Sequence, residues 1–179
     1  SSIASVLEWY GVRDGLNDLD LAALRGAKDG DQFARGTDLD EMVNVFHKLT
    51  DLGITGEWDI ITSDDKDGAE LLYDPEWIQT IKEGHPIIVG WNSYGAHYQT
   101  IIGYDNMGTE DTLDDVLIIM DPYDTTDQDN DGYTIESYER LFQRLYSLMD
   151  SEVSGTKFIT AALLEGWKYE QTIGDGYKY

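Results

Sequence analysis

Apolar residues recur at two different periods along this chain, and the change of period divides it. Ile3, Val6, Leu7 and Tyr10 fall on one helical face and Gly11 follows as a stop, so the chain begins inside or at the edge of a helix. Asp18 caps a second short helix carrying Leu21, Ala22 and Leu24. A third takes Thr37 as its N-cap, acids in its first turn, and Leu39, Met42, Val43, Phe46 and Leu49 along one side.

Past residue 50 the pattern turns extended. Residues 54–61 read as a strand, and 63–68 as an acidic turn. Asp74-Pro75 opens a fourth helix with Pro in its first turn, Trp77, Ile78 and Ile81 facing inward, and Gly84 ending it. Strands follow over 86–91, 97–105 and 116–121, then a helix over 136–148 with Tyr138, Leu141, Phe142 and Leu145 inward, and a last strand over 156–164. Helices first and mostly antiparallel strands afterwards specify an α+β fold. The 179 residues suit a single domain: a helical part over about 1–50, a sheet part over about 51–165, and a loose tail over 166–179 that is Gly- and Tyr-rich from Gln171.

Charge narrows the partners. Twelve basic residues against 36 acidic ones leave a formal charge of −24, a field that repels phosphate backbones and anionic lipid heads. Nucleic acid is therefore excluded as a partner. A cation-rich medium, bound Ca²⁺ or a basic substrate would suit such a surface. The longest strictly apolar runs are a handful of residues, such as Ile87-Ile88-Val89, so the sequence predicts no membrane span. No leader is visible at Ser1. With no cysteine in the chain, disulfides, thiolate metal sites and a thiol nucleophile are absent from these residues.

One pairing carries candidate chemistry. If strands 97–105 and 116–121 form a hairpin about the polar loop 106–115, a turn centred near Thr109 sets His97 opposite Asp121, Gln99 opposite Ile119, and Ile101 opposite Leu117. Opposed residues hold their Cβ atoms about 4.5–5.5 Å apart, within reach of an imidazole–carboxylate hydrogen bond. A carboxylate on one ring nitrogen fixes the tautomer and leaves the other nitrogen as a general base. A slip of one residue would put the two groups on opposite faces, and a loop of this length leaves the register open. By itself a histidine in a strand is ordinarily structural; the acid opposite it is what suggests otherwise.

The order of several short motifs resembles the C39-like branch of the papain-fold cysteine peptidases. They are Gly84-His85-Pro86-Ile87-Ile88-Val89-Gly90-Trp91, Gly95-Ala96-His97-Tyr98, Gly103-Tyr104-Asp105 and Asp121-Pro122. Gly36-Thr37-Asp38, before the third helix, is similar to that family's entry to its specificity-side helix, and Asp131-Gly132-Tyr133 with Tyr138-Glu139-Arg140-Leu141-Phe142 to the helix after its Asp-Pro. The resemblance runs from Ser1 to about Leu148. It implies a papain-like fold, hydrolysis of a peptide or protein substrate without a required cofactor, His97 as the base and Asp121 as the carboxylate that orients it. It also implies a secreted or cell-envelope location. Matching Val6-Leu7-Glu8-Trp9-Tyr10-Gly11 to the end of the family's first motif places its nucleophilic Cys three residues ahead of Ser1, and its oxyanion-hole Gln further ahead. As the chain stands the nucleophile is missing. The alternatives are a papain-fold module that binds peptide without cutting it, and a calcium-stabilised extracellular interaction domain.

The remaining candidates are weaker. Trp91, Asn92, Ser93 and Tyr94 precede His97 in a loop that could line a substrate cleft or simply pack. The Ser1 and Ser2 hydroxyls read as helix N-caps rather than nucleophiles. His47 is a rim residue, and His85 suits a helix C-terminus as an imidazolium. Asp127, Asp129 and Asp131 before Gly132 match the first half of an EF-hand calcium loop. Its second half fails: position eight is Thr134 and position twelve Tyr138, with Ile135 and Glu139 each one place late. The loop reads as solvated acid, with Ca²⁺ as the alternative.

Overall fold

The computed structural model describes residues 1–25, 36–62, 75–91, 97–123, 131–140 and 157–164. Its helices are α1 (Ser2–Trp9), α2 (Asp18–Leu24), α3 (Leu39–Asp51) and α4 (Pro75–Lys82). Its strands are β1 (Trp58–Thr62), β2 (Ile87–Trp91), β3 (His97–Asp105), β4 (Val116–Met120), β5 (Tyr133–Ser137) and β6 (Lys157–Leu163). They form one antiparallel sheet in the order β1-β6-β2-β3-β4-β5. This is the α+β architecture expected of the sequence. No helix among the described residues is long and apolar enough to cross a membrane.

Three helices stop in the same way. After α1, α3 and α4 a glycine takes a positive φ (Gly11, Gly53 and Gly84). The next residue's N–H then returns to a carbonyl in the last turn: Val12 to Leu7, Ile54 to Leu49 and His85 to Thr80, at 2.9, 2.9 and 3.0 Å. Ile54 thus belongs to the cap of α3, which is why β1 begins at Trp58 rather than at 54. The helix starts also differ from expectation. Asn17, not Asp18, caps α2: its Oδ1 accepts the N–H groups of Leu19 and Asp20, while the Asp20 carboxylate accepts the Asn17 N–H. Asp38, not Thr37, caps α3, and Glu41 accepts the Asp38 N–H at 2.9 Å. Thr37 instead accepts a hydrogen bond from the buried Arg25 guanidinium at 2.8 Å.

The expected helix over 136–148 is corrected at its start. Residues 133–137 are β5, paired with β4, and a helical turn opens only at 138–140, where Ser137 Oγ accepts the Arg140 N–H. The strand escapes a hydrophobicity reading because its alternation is inverted. Thr134 and Glu136 point inward and are buried, while Tyr133 and Ile135 are 45% and 69% exposed. Residues 141–156, the acidic turn 63–68 and the tail 166–179 lie outside the described residues.

The core is built by α1 and α3 on one sheet face. Val6 and Leu7 of α1 and Val45, Phe46 and Leu49 of α3 cluster with Trp58, Ile88, Ile159, Ala161 and Leu163 of the sheet. Val45 does the work expected of Val43, which is only partly buried. The alternate row, Ile87, Ile101 and Ile119 across β2, β3 and β4, is also fully buried, and α4 packs along β3. Phe46 is fully buried, its ring 4.9 Å from that of Trp58. Phe46→Ala should therefore cost about 3–5 kcal/mol by urea denaturation; a loss below about 1 kcal/mol would mean that α3 does not seat on the sheet in this way.

Candidate functional site

His97 opens β3 and Asp121 follows the last residue of β4, so the sheet carries both to one end. Ile101 faces Ile119 and Thr100 faces Met120. Continued to the end of β4, that register puts Gln99, not His97, directly opposite Asp121. The expected pairing is therefore off by two residues. Two is an even number, so the residues stay on the intended face, and His97 reaches Asp121 along the diagonal. The register shifts between Ile101 and Gly103, a local irregularity nearer the loop.

The two side chains meet. His97 Nε2 lies 2.6 Å from Asp121 Oδ1, with the imidazole 12% and the carboxylate 4% exposed. An ionised carboxylate only accepts, so Nε2–H is the donor and the second nitrogen, Nδ1, is left for other work. Nδ1 makes no hydrogen bond among the described residues. The Asp121 carboxylate accepts two further hydrogen bonds, and the residue's backbone is tied down by a third. Tyr123 N–H donates to Oδ1 at 2.9 Å in the turn after Pro122, Gln99 Nε2 donates to Oδ2 at 2.5 Å, and the Asp121 N–H itself donates to Gly132 O. The Tyr123 ring packs on the imidazole, centroids 4.6 Å apart.

Burial alone would push the Asp121 carboxyl up. The N–H of Tyr123 and the donors on His97 and Gln99 outweigh it and hold the group below its ordinary value.

The start of α1 is fastened to the same place. Ser2 Oγ donates to Tyr98 O at 3.0 Å, and Thr100 Oγ1 donates back to Ser2 O at 3.4 Å. These bonds hold the first turn of α1 beside the residue that follows His97. A cleft of about 440 Å³ opens there, with Ser1, Ser5, Asp121, Pro122 and Asp131 among its lining residues. The serines do not cap the helix as expected. Ser1 occupies the N-cap position but its hydroxyl donates to Asp18 at 2.7 Å, and Ser2 is the first helical residue. Neither hydroxyl bonds to His97.

The other candidates separate. Trp91 pairs with His97 through the β2–β3 ladder, while Asn92, Ser93 and Tyr94 lie outside the described residues. So do Asp127 and Asp129. Asp131 is described, and its Oδ1 accepts the Tyr133 N–H at 2.9 Å. Among the described residues no group of three or more metal-ligating side chains converges. His47 is exposed, as a rim residue should be. His85 departs from expectation: its Nδ1 is 2.8 Å from the Tyr10 hydroxyl, and burial pushes its pKa down, favouring the neutral ring over an imidazolium. Gln99 is the site residue that chain pattern failed to single out. Its signal was a polar side chain on the strand face otherwise filled by Ile101 and, across the ladder, Val89.

The lowered carboxyl of Asp121 has a stability consequence. The folded state binds its proton more weakly than the unfolded chain does, so the stabilisation is complete above the ordinary aspartate range near 4 and fades as pH falls through the folded value. Asp121→Asn should cost about 2 kcal/mol at pH 7 in urea unfolding, and the gap from wild type should shrink at pH 3. A gap that ignores pH would contradict this.

The chain matches the Peptidase_C39 like family over residues 2–149, which spans every element from α1 to β5. No curated protein and no solved structure matches it. The match covers most of the chain, and the protein belongs to the Peptidase_C39 like family.

Proposed function

We propose that this domain is the base-bearing part of a cysteine peptidase, with His97 as general base and Asp121 as the carboxylate that orients it. The observation that carries the reading is the 2.6 Å bond from His97 Nε2 to Asp121, which leaves Nδ1 without a hydrogen bond among the described residues, one residue before the Tyr98 carbonyl that takes the Ser2 hydroxyl of α1. In this scheme a thiol from residues ahead of Ser1 gives its proton to Nδ1. The thiolate, favoured by the helix N-terminus and the imidazolium, attacks the substrate carbonyl carbon. The C–N bond breaks as His97 passes that proton to the leaving amine. A water then loses a proton to Nδ1, attacks the thioester and releases the acid and the thiol. Asp121 retains the Nε2 proton throughout and stabilises the cation without being protonated itself.

A peptide is the substrate class that the family suggests. The charge of −24 favours one of basic character, since the field draws cations toward any cleft on this surface.

The complete absence of cysteine from the chain favours a second reading, in which the same cleft holds a peptide without cutting it. One experiment separates them. In a protein that includes the residues ahead of Ser1, peptide turnover should be stopped by thiol alkylation, and His97→Ala should lower kcat/KM by about 10²–10⁴-fold. Turnover unchanged in His97→Ala would reject His97 as the base. Peptide binding with no turnover and no alkylatable thiol would establish the binding module instead.

A further inference from the structure

Among the described residues of this site, Gln99 is the buried polar side chain whose chemistry is only half used. It stands on β3 two residues after His97, on the same face, with Val89 opposite it on β2 and Ile101 next along. It is 3% exposed. Its Nε2 donates to Asp121 Oδ2 at 2.5 Å, whereas its Oε1 is buried and has no hydrogen-bond partner among the described residues. The carboxylate decides which end of the amide faces it, because only the NH₂ can donate.

A side chain placed for stability alone would not be built this way. An unsatisfied buried carbonyl disfavours the fold, and a leucine or methionine would fill the space between Val89 and Ile101 without that cost. What the amide supplies that an apolar residue cannot is a donor on Oδ2. Oδ1 already takes the His97 and Tyr123 hydrogens. Without Gln99, Oδ2 would be a buried anionic oxygen with no donor among the described residues, the carboxyl would hold a proton more readily, and the group could turn about its Cβ–Cγ bond.

We propose that Gln99 is a positioning residue, which keeps Asp121 ionised and its Oδ1 turned toward His97. The inference rests on reading His97 and Asp121 as the proton-handling pair. The acidic and titratable neighbours of Asp121 are His97 on β3, Tyr123 in the turn after β4, and Asp131 across the cleft. Of these only Asp131 adds negative charge, and it is present in every variant compared.

The test reads the Asp121 carboxyl directly, by the pH dependence of its ¹³Cγ resonance in the intact chain. It compares wild type with Gln99→Leu and with Gln99→Met, which both remove the donor, the methionine keeping the length of the side chain. Both should raise the Asp121 midpoint by at least one pH unit, a tenfold change in proton affinity. A packing role would lower the melting temperature and leave that midpoint in place. If Gln99→Leu does not fold, Gln99→Met decides alone. An unmoved midpoint in a folded variant overturns the proposal. The readout needs no turnover, so it stands apart from the peptidase test: activity lost in His97→Ala beside an unmoved Asp121 midpoint would sink Gln99's role and spare the peptidase reading.

Discussion

A histidine and an aspartate separated by 24 residues share one short hydrogen bond at the end of a six-stranded sheet, and the architecture around them serves to keep it. Neither group would be held by its own strand alone, since His97 begins β3 and Asp121 lies just past β4. Two further groups hold the carboxylate, the Tyr123 N–H in the turn and the β3 side chain of Gln99, while Gly132 O, ahead of β5, takes the Asp121 backbone N–H. Such a buried anion would be unfavourable if left bare. Surrounded by donors it becomes a fixed negative pole, and the imidazole has one orientation in which to meet it.

The hydrophobic core acts on the site through α1. That helix is held down by Val6 and Leu7 against the sheet, and its first turn is stitched to β3 by Ser2 and Thr100. Its other end is pinned by the Trp9 indole on Gly84 O at 2.8 Å and by Tyr10 on His85. The helix therefore cannot slide along the sheet without breaking packing and hydrogen bonds together. The position of its N-terminus relative to His97 is a property of the core, and any group carried just ahead of it would inherit that placement.

Much of this was legible from residue order, for physical reasons that differ by element. Helices α1 and α3 announce themselves through apolar spacing, and α1 also through Gly11, which closes it. Strands β2, β3 and β4 show as compact β-branched runs. The face shared by His97 and Asp121 could be read because a strand's period of two tolerates an even error in register; the partner assignment could not, because the ten-residue connection does not set it. Strand β5 was hidden by its inverted pattern, with Thr134 and Glu136 inside and Ile135 outside. Gln99 was hidden for a related reason: a buried amide is recognisable only by what it bonds to, and that partner lies just past the end of another strand.

The most direct measurement is of the imidazole itself. Long-range ¹H–¹⁵N NMR of the neutral His97 ring distinguishes a protonated Nε2 from a protonated Nδ1. The account requires the proton on Nε2, shifted downfield by the carboxylate, and a bare Nδ1; Asp121→Asn should abolish that signature. A wild-type His97 with its proton on Nδ1, or averaging freely between the two nitrogens, would contradict the account at its root.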